Sequence, residues 1–208
     1  MKPNSIVCLD LEGVLVPEIW IEVSRRTGIA ALARTTREEP DYDKLMQGRL
    51  KILAEHRLKL ADIHAVIATM GPMPGAKAFL DALRAQCQVV ILSDTFYEFA
   101  APLMAQLGQP TLFCHRLEAD AEGFVSGYRP RMPDQKRHAV EVFRSLNFHV
   151  IAAGDSFNDT SMLGAAHAGI FSCPPESIAK PFPQFPVTRD HAALGAAIRS
   201  AAGERFSV

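Results

Sequence analysis

Along the chain, apolar positions gather into a few short, near-continuous runs, separated by longer stretches in which they recur every three or four residues. The runs "SIVCLD" (Ser5 to Asp10), "QVVILSD" (Gln88 to Asp94) and "HVIAAGD" (His149 to Asp155) carry no polar alternation inside them. A strand with one wet face alternates, whereas one covered on both faces does not, so these runs predict central strands of a parallel sheet. "PTLFCH" (Pro110 to His115) and "AGIF" (Ala168 to Phe171) fit two more strands, and "LEADAEGFVSGY" fits a β-hairpin turning at Glu-Gly. Helical spacing appears in "PGAKAFLDALRAQ", through Phe79, Leu80 and Leu83, and in "KRHAVEVFRSL", through Val140, Phe143 and Leu146. Strands alternating with helices predict an α/β fold: a three-layer, Rossmann-like parallel sheet with right-handed crossovers. No element is assigned to the proline-rich "PPESIAKPFPQFPV".

The interval between the first two strands is too long for one crossover. It reads as "EIWIEVSRRTG", "YDKLMQGRLKILAEH" and "LADIHAVIATM", three helical patterns with charged outer faces. An insertion of this length, placed after the first strand, predicts a helical-bundle cap at residues 17–73 over a core formed by 1–16 and 74–208.

Composition narrows the function classes. The 208 residues suffice for one domain with an inserted lobe, and 48% apolar with 22% charged residues is ordinary for a globular chain. A net charge of −1 with both signs interspersed gives no footprint for nucleic acid. No apolar run approaches the roughly 20 residues that span a bilayer. The start "MKPNSIVCLD" runs straight into a strand bearing an acid, which does not fit a signal peptide. Cys8, Cys87, Cys114 and Cys173 lie far apart and read as reduced thiols, so a cytoplasmic protein is expected, and a homodimer stays open.

The chemistry gathers at the strand ends. In open α/β sheets ligands bind beyond the carboxyl edges of the strands, where Asp10, Ser93 and Asp155 would sit. Asp10, Asp155 and Asp159 close together would repel unless a hard cation with oxygen ligands joins them, and Mg²⁺ fits a site that must leave room for phosphate. Lys136, or its neighbour Arg137, would clamp a phosphoryl group, with Ser93 donating its hydroxyl and Asn158 its amide. Asp10 then suits a nucleophile that becomes an aspartyl-phosphate, and Glu12 a general acid and base. Asp94 reads equally as a site residue or a turn cap.

With "DLEGV", Ser93, Lys136 and "GDSFND" in this order on these elements, the chain resembles the haloacid dehalogenase superfamily over nearly its whole length. Within it the chain resembles the phosphoserine phosphatase branch, including bacterial variants that also transfer the phosphoryl group from phosphoserine to homoserine. "CLDLEGVLVPEIWI", "PDYD", "VVILSDTFYEFAAPLM" and "VIAAGDSFNDTSML" carry the closer similarity. The resemblance implies Asp10 as nucleophile, Glu12 as acid/base, and Mg²⁺ held by Asp10, the Glu12 carbonyl and Asp155, with Asp159 in support. It also implies Ser93 and Lys136 on the phosphate, Glu18 on the substrate ammonium and Arg49 on its carboxylate. Two positions depart from the branch: Glu12 stands where Asp is usual, and Asp94-Thr95 stand where Gly-Gly follows the motif serine. Two rival readings remain at this level, a phosphatase for another small phosphate ester and a non-enzymatic receiver domain that stores an aspartyl-phosphate.

Overall fold

A computed structural model describes residues 4–36, 38, 39 and 41–203. The expected limits of the core at the two chain ends, and Pro40 of "PDYD", lie outside the described residues. Among these residues seven strands form one sheet in the order β4-β3-β2-β1-β5-β6-β7. They are β1 (Ser5–Leu9), β2 (Gln88–Phe96), β3 (Thr111–Ala119), β4 (Val125–Arg129), β5 (His149–Gly154), β6 (Ala168–Ser172) and β7 (Val187–Thr188). Pairing is parallel throughout except for β3 with β4, the expected hairpin. Its turn is tied by Asp120, whose Oδ1 accepts the N–H groups of Glu122 and Phe124.

The unbroken apolar runs have the reason anticipated for them. Val7, Leu9, Ile91, Ile151 and Ala153 face one cluster of the core, while Ile6, Cys8, Val90, Leu92, Val150 and Ala152 face another. Successive side chains point to opposite faces, so a strand covered on both sides must be apolar at every position. The first face is covered by α4 (Ala76–Arg84), α5 (Tyr97–Gln106) and α9 (His191–Ala202). The second is covered by α6 (Gln135–Ser145) and α7 (Thr160–Ala165).

Between β1 and α4 stand α1 (Ile19–Thr27), α2 (Tyr42–Glu55) and α3 (Leu60–Ile67). Their inward residues, including Ile19, Val23, Met46, Leu53 and Ile63, belong to the same apolar cluster as β1. Asp41 starts α2 by accepting the Lys44 N–H on its carboxylate. The inserted helices also touch the hairpin: Leu60 donates its N–H to the Gly123 carbonyl.

Three features differ from the sequence expectations. β2 continues past Asp94 to Phe96, with its register on β3 shifted between Leu92 and Phe96. The irregularity falls on Ser93, Asp94 and Thr95 and re-aims that stretch at the sheet's edge. The proline-rich segment holds α8 (Glu176–Ala179) and leads into β7. Finally α9, for which no pattern was singled out, is capped by Asp190 on the Ala193 N–H and buries Leu194 and Ile198, four apart.

Candidate active site

Asp10 follows β1 directly and is held there by its own N–H, which donates to Ala153 of β5. Its Oδ1 accepts the Leu11 N–H at 2.7 Å, and its Oδ2 lies 3.1 Å from Lys136 Nζ. Lys136 reaches this point from the first turn of α6, only 2% exposed, and also contacts Asp159 Oδ1 at 2.8 Å and Asp94 Oδ2 at 3.5 Å. Burial alone would lower the Lys136 ammonium, but Asp10, Asp159 and Asp94 outweigh it and hold the proton firmly.

Asp155 and Asp159 come from the turn after β5. The Asp159 carboxylate is fully buried and accepts the N–H groups of Asp155 and Ser156, both at 3.0 Å, together with the Ser156 hydroxyl. With Lys136 on its other oxygen, Asp159 organises the turn as much as it charges it. Two glycines make the approach feasible. A Cβ on Gly154 would overlap the Asp159 carboxylate, and one on Gly13 would overlap that of Asp155. Gly13 also has φ 75°, where a side chain is strained.

Carboxylate oxygens of Asp10, Asp155 and Asp159 lie within 4.8 Å of one another, all buried. Burial raises the Asp10 carboxyl well above its ordinary value, and Asp159, Asp155 and Asp94 push the same way against Lys136. Four acids against one lysine leave an excess of negative charge that a divalent hard cation largely offsets, so this donor set fits Mg²⁺.

Glu12 and Glu18 approach from the loop leading into α1. Glu12 is half-buried, and its Oε2 accepts the Ile19 N–H at 2.8 Å. Burial and then Glu18 raise its carboxyl to about 7, against the Ile19 N–H, Thr95 and Arg49. Arg49, on α2, is 7% exposed, stacks over Trp20 at 4.7 Å and donates to the Arg34 carbonyl. Its Nε is buried without a hydrogen-bond partner among the described residues. Burial lowers this guanidinium to about 10, with Glu12, Tyr42 and Glu18 opposing.

The cleft enclosed by these side chains has a free volume of about 80 Å³. Asp10, Glu12, Glu18, Arg49, Ser93, Lys136, Asp155 and Asn158 all line it, while Asp159 lies just beneath. Residues 10 to 159 therefore meet at one carboxyl edge of the sheet. Arg137 does not join them: it pairs with Asp134 and Glu141 on the outer face of α6. Trp20, Phe96 and Phe99 pack edge to face, with ring centroids 5.4 and 5.5 Å apart, although Trp20 also floors the cleft.

Some participants left little trace in the sequence. Tyr42, His115 and Gln135 were not singled out, yet each bonds to Asp94. Burial raises the Asp94 carboxyl, but Lys136, His115, Asn158 and Gln135 together hold it below the usual carboxylate range. The adjacency of Gln135 to Lys136, and the place of Tyr42 within "PDYD", were the available signals.

A model of the haloacid dehalogenase-like hydrolases matches residues 5–167. The chain belongs to this family. As a member of the haloacid dehalogenase-like hydrolases it is an enzyme, and the receiver-domain reading falls away. It is 60% identical over 187 residues to the phosphoserine phosphatase ThrH of Pseudomonas aeruginosa, covering 90% of this chain and 91% of that protein. It is also 60% identical over 182 residues to a phosphoserine phosphatase of Pseudomonas syringae pv. tomato, covering 88% and 77%. Among solved structures, a phospho-aspartyl intermediate analogue of phosphoserine phosphatase superposes with a TM-score of 0.77 at 18% identity, covering 96% and 99%. The phosphoserine phosphatase of T. onnurineus gives 0.73 at 23% identity, covering 95% and 96%. At these identities the structural likeness speaks to the fold. Among the described residues no helix is long and apolar enough to cross a membrane.

Proposed function

We propose that this hydrolase is a Mg²⁺-dependent phosphoserine phosphatase working through a phosphoryl group carried on Asp10, and that the phospho-enzyme also passes the group to homoserine. The observation that carries the reading is the meeting of Asp10, Lys136, Asp155 and Asp159 in one buried cluster, with Arg49 and Glu18 lining the same cleft. Similarity to two phosphoserine phosphatases at 60% identity supports the substrate.

An Asp10 carboxylate oxygen forms a bond to phosphorus as the bond to the serine oxygen breaks. Glu12 gives its proton to the departing alkoxide, then takes one from the attacking water or alcohol. That attack breaks the Asp10–phosphorus bond and frees phosphate or a new phosphate ester. Lys136 and Ser93 hold the phosphoryl oxygens, with Lys136 matched to the charge that develops on them. Asp10, Asp155 and the Glu12 carbonyl, with Asp159 in support, would hold Mg²⁺, which would supply the charge that lets phosphate share a pocket with carboxylates. Arg49, whose buried Nε has no hydrogen-bond partner among the described residues, is ready for the substrate carboxylate, and Glu18 for its ammonium.

Residues 17–73 act as a lid that closes the cleft from bulk water, with residues 1–16 and 74–208 as the core. Four free cysteines fit a reducing, cytoplasmic setting.

The test is phosphate release from O-phosphoserine with Mg²⁺, followed by ³¹P NMR with homoserine added. Serine, phosphate and O-phosphohomoserine are expected, and Asp10→Asn should yield none of them. Full activity in Asp10→Asn overturns the mechanism. Turnover of other esters without phosphoserine overturns the substrate, and phosphate without O-phosphohomoserine overturns the transfer.

A further inference from the structure

We propose that Asp94 is a positioning residue that aligns Lys136 and Asn158 on the transferring phosphoryl group, with His115 and Gln135 fixing Asp94 in turn. The inference rests on the phosphoryl-transfer reading above, but on contacts that reading does not use.

The neutral donors to Asp94 are each oriented by a hydrogen bond of their own. His115 is 5% exposed, and its Nδ1 accepts the Arg131 backbone N–H at 3.1 Å, so the ring proton sits on Nε2, 3.5 Å from Asp94 Oδ1. Gln135 is 2% exposed, and its Oε1 accepts Arg131 Nε, which turns its amide nitrogen to Asp94 Oδ1 at 3.2 Å and to the Ser93 carbonyl. Asn158 turns its amide nitrogen to Asp94 Oδ2 at 2.8 Å and its oxygen to the Ser156 hydroxyl, whose proton it shares with Asp159. Lys136 Nζ completes that side at 3.5 Å. Both carboxylate oxygens therefore face two donors each. An amide cannot replace the group, because either orientation sets its NH₂ against two other donors.

The fastening is needed because packing does not provide it. On the other side of Asp94 and Asn158 lies an open cavity of about 560 Å³, so these two part-exposed side chains meet solvent on one flank, while Lys136 stays buried behind them. Lys136 is also pulled toward Asp10 and Asp159. Asp94 counters that pull from the side of Ser93, whose hydroxyl serves the same phosphoryl oxygens. Tyr42, at the start of α2, donates to the Asp94 carbonyl at 2.8 Å and so ties the inserted helices to the same point.

The test compares Asp94→Asn, His115→Phe and the double variant with the parent, using phosphoserine turnover with Mg²⁺ and calorimetric titration with orthovanadate. Asp94→Asn should lower kcat about 10- to 100-fold and weaken vanadate about tenfold, with KM changed less than about twofold. His115→Phe, which touches no phosphoryl-binding group, should lower kcat about three- to tenfold, and the double variant no further than Asp94→Asn alone. Unchanged kcat and vanadate affinity in a folded Asp94→Asn overturn the proposal, as do a loss confined to KM or additive losses in the double variant. If Asp94→Asn does not fold, an unaltered His115→Phe overturns it. A parent that ignores phosphoserine but hydrolyses another ester defeats only the substrate reading, and the same comparison then runs on that ester and on vanadate.

Discussion

Removing the Asp10 charge should stabilise the metal-free protein while ending its activity. In Asp10→Asn the amide oxygen can keep the Leu11 N–H bond. Repulsion by Asp155 and Asp159 across at most 4.8 Å is worth about 3.5 kcal/mol for each pair at an effective dielectric near 20. Attraction to Lys136 at 3.1 Å is worth about 5 kcal/mol on the same scale. The two repulsions exceed the one attraction by about 2 kcal/mol, and the burial penalty on the carboxylate adds to the excess. Because Asp10 holds its proton more tightly than an ordinary aspartate, part of the relief is already taken, which leaves about 1–2 kcal/mol. For a chain of this size that is a rise in Tm of about 3–6 °C, read by calorimetry in EDTA at neutral pH. Mg²⁺ should raise the parent's Tm by mass action and the variant's far less. A variant that melts at or below the parent in EDTA would refute the excess-charge argument. So would equal stabilisation of both by Mg²⁺.

Other outcomes follow from the same geometry. Gly154→Ala forces a Cβ into the Asp159 carboxylate and should cost about 1–3 kcal/mol in urea unfolding, with loss of most phosphatase activity. Arg49→Ala should raise KM for phosphoserine at least tenfold while leaving KM for a phosphate ester that lacks a carboxylate within about twofold, which competition kinetics would show. Glu12→Gln should slow release of serine about 100-fold or more but spare esters with good leaving groups, a contrast read with p-nitrophenyl phosphate. Phe99→Ala, at a fully buried ring packed against Trp20 and Phe96, should cost about 3–5 kcal/mol by denaturant unfolding.

Much of this protein was legible in its sequence because the relevant signals are local. A strand buried on both faces must be apolar at every position, so β1, β2 and β5 announced themselves and placed Asp10, Ser93 and Asp155 at one edge. The helices between β1 and α4 showed their spacing in the same way. Helix α9 had a cap and two apolar residues four apart, but its Ala-rich pattern offered little contrast between faces. β7 is two residues long, below the length at which any period can appear.

What only the tertiary structure decided was the company each polar side chain keeps. Asp94 could be read as a turn cap because nothing near it in sequence indicates four donors arriving from residues 115, 135, 136 and 158. Lys136 and Arg137 are adjacent and alike in charge, yet one is buried among carboxylates and the other pairs on the outside of α6. Successive helix positions differ by about 100° in direction, so the packing of α6 on the sheet makes that choice. Local periodicity fixes which face of an element is buried. Which distant charge meets which depends on how the faces dock, and that is a property of the whole fold.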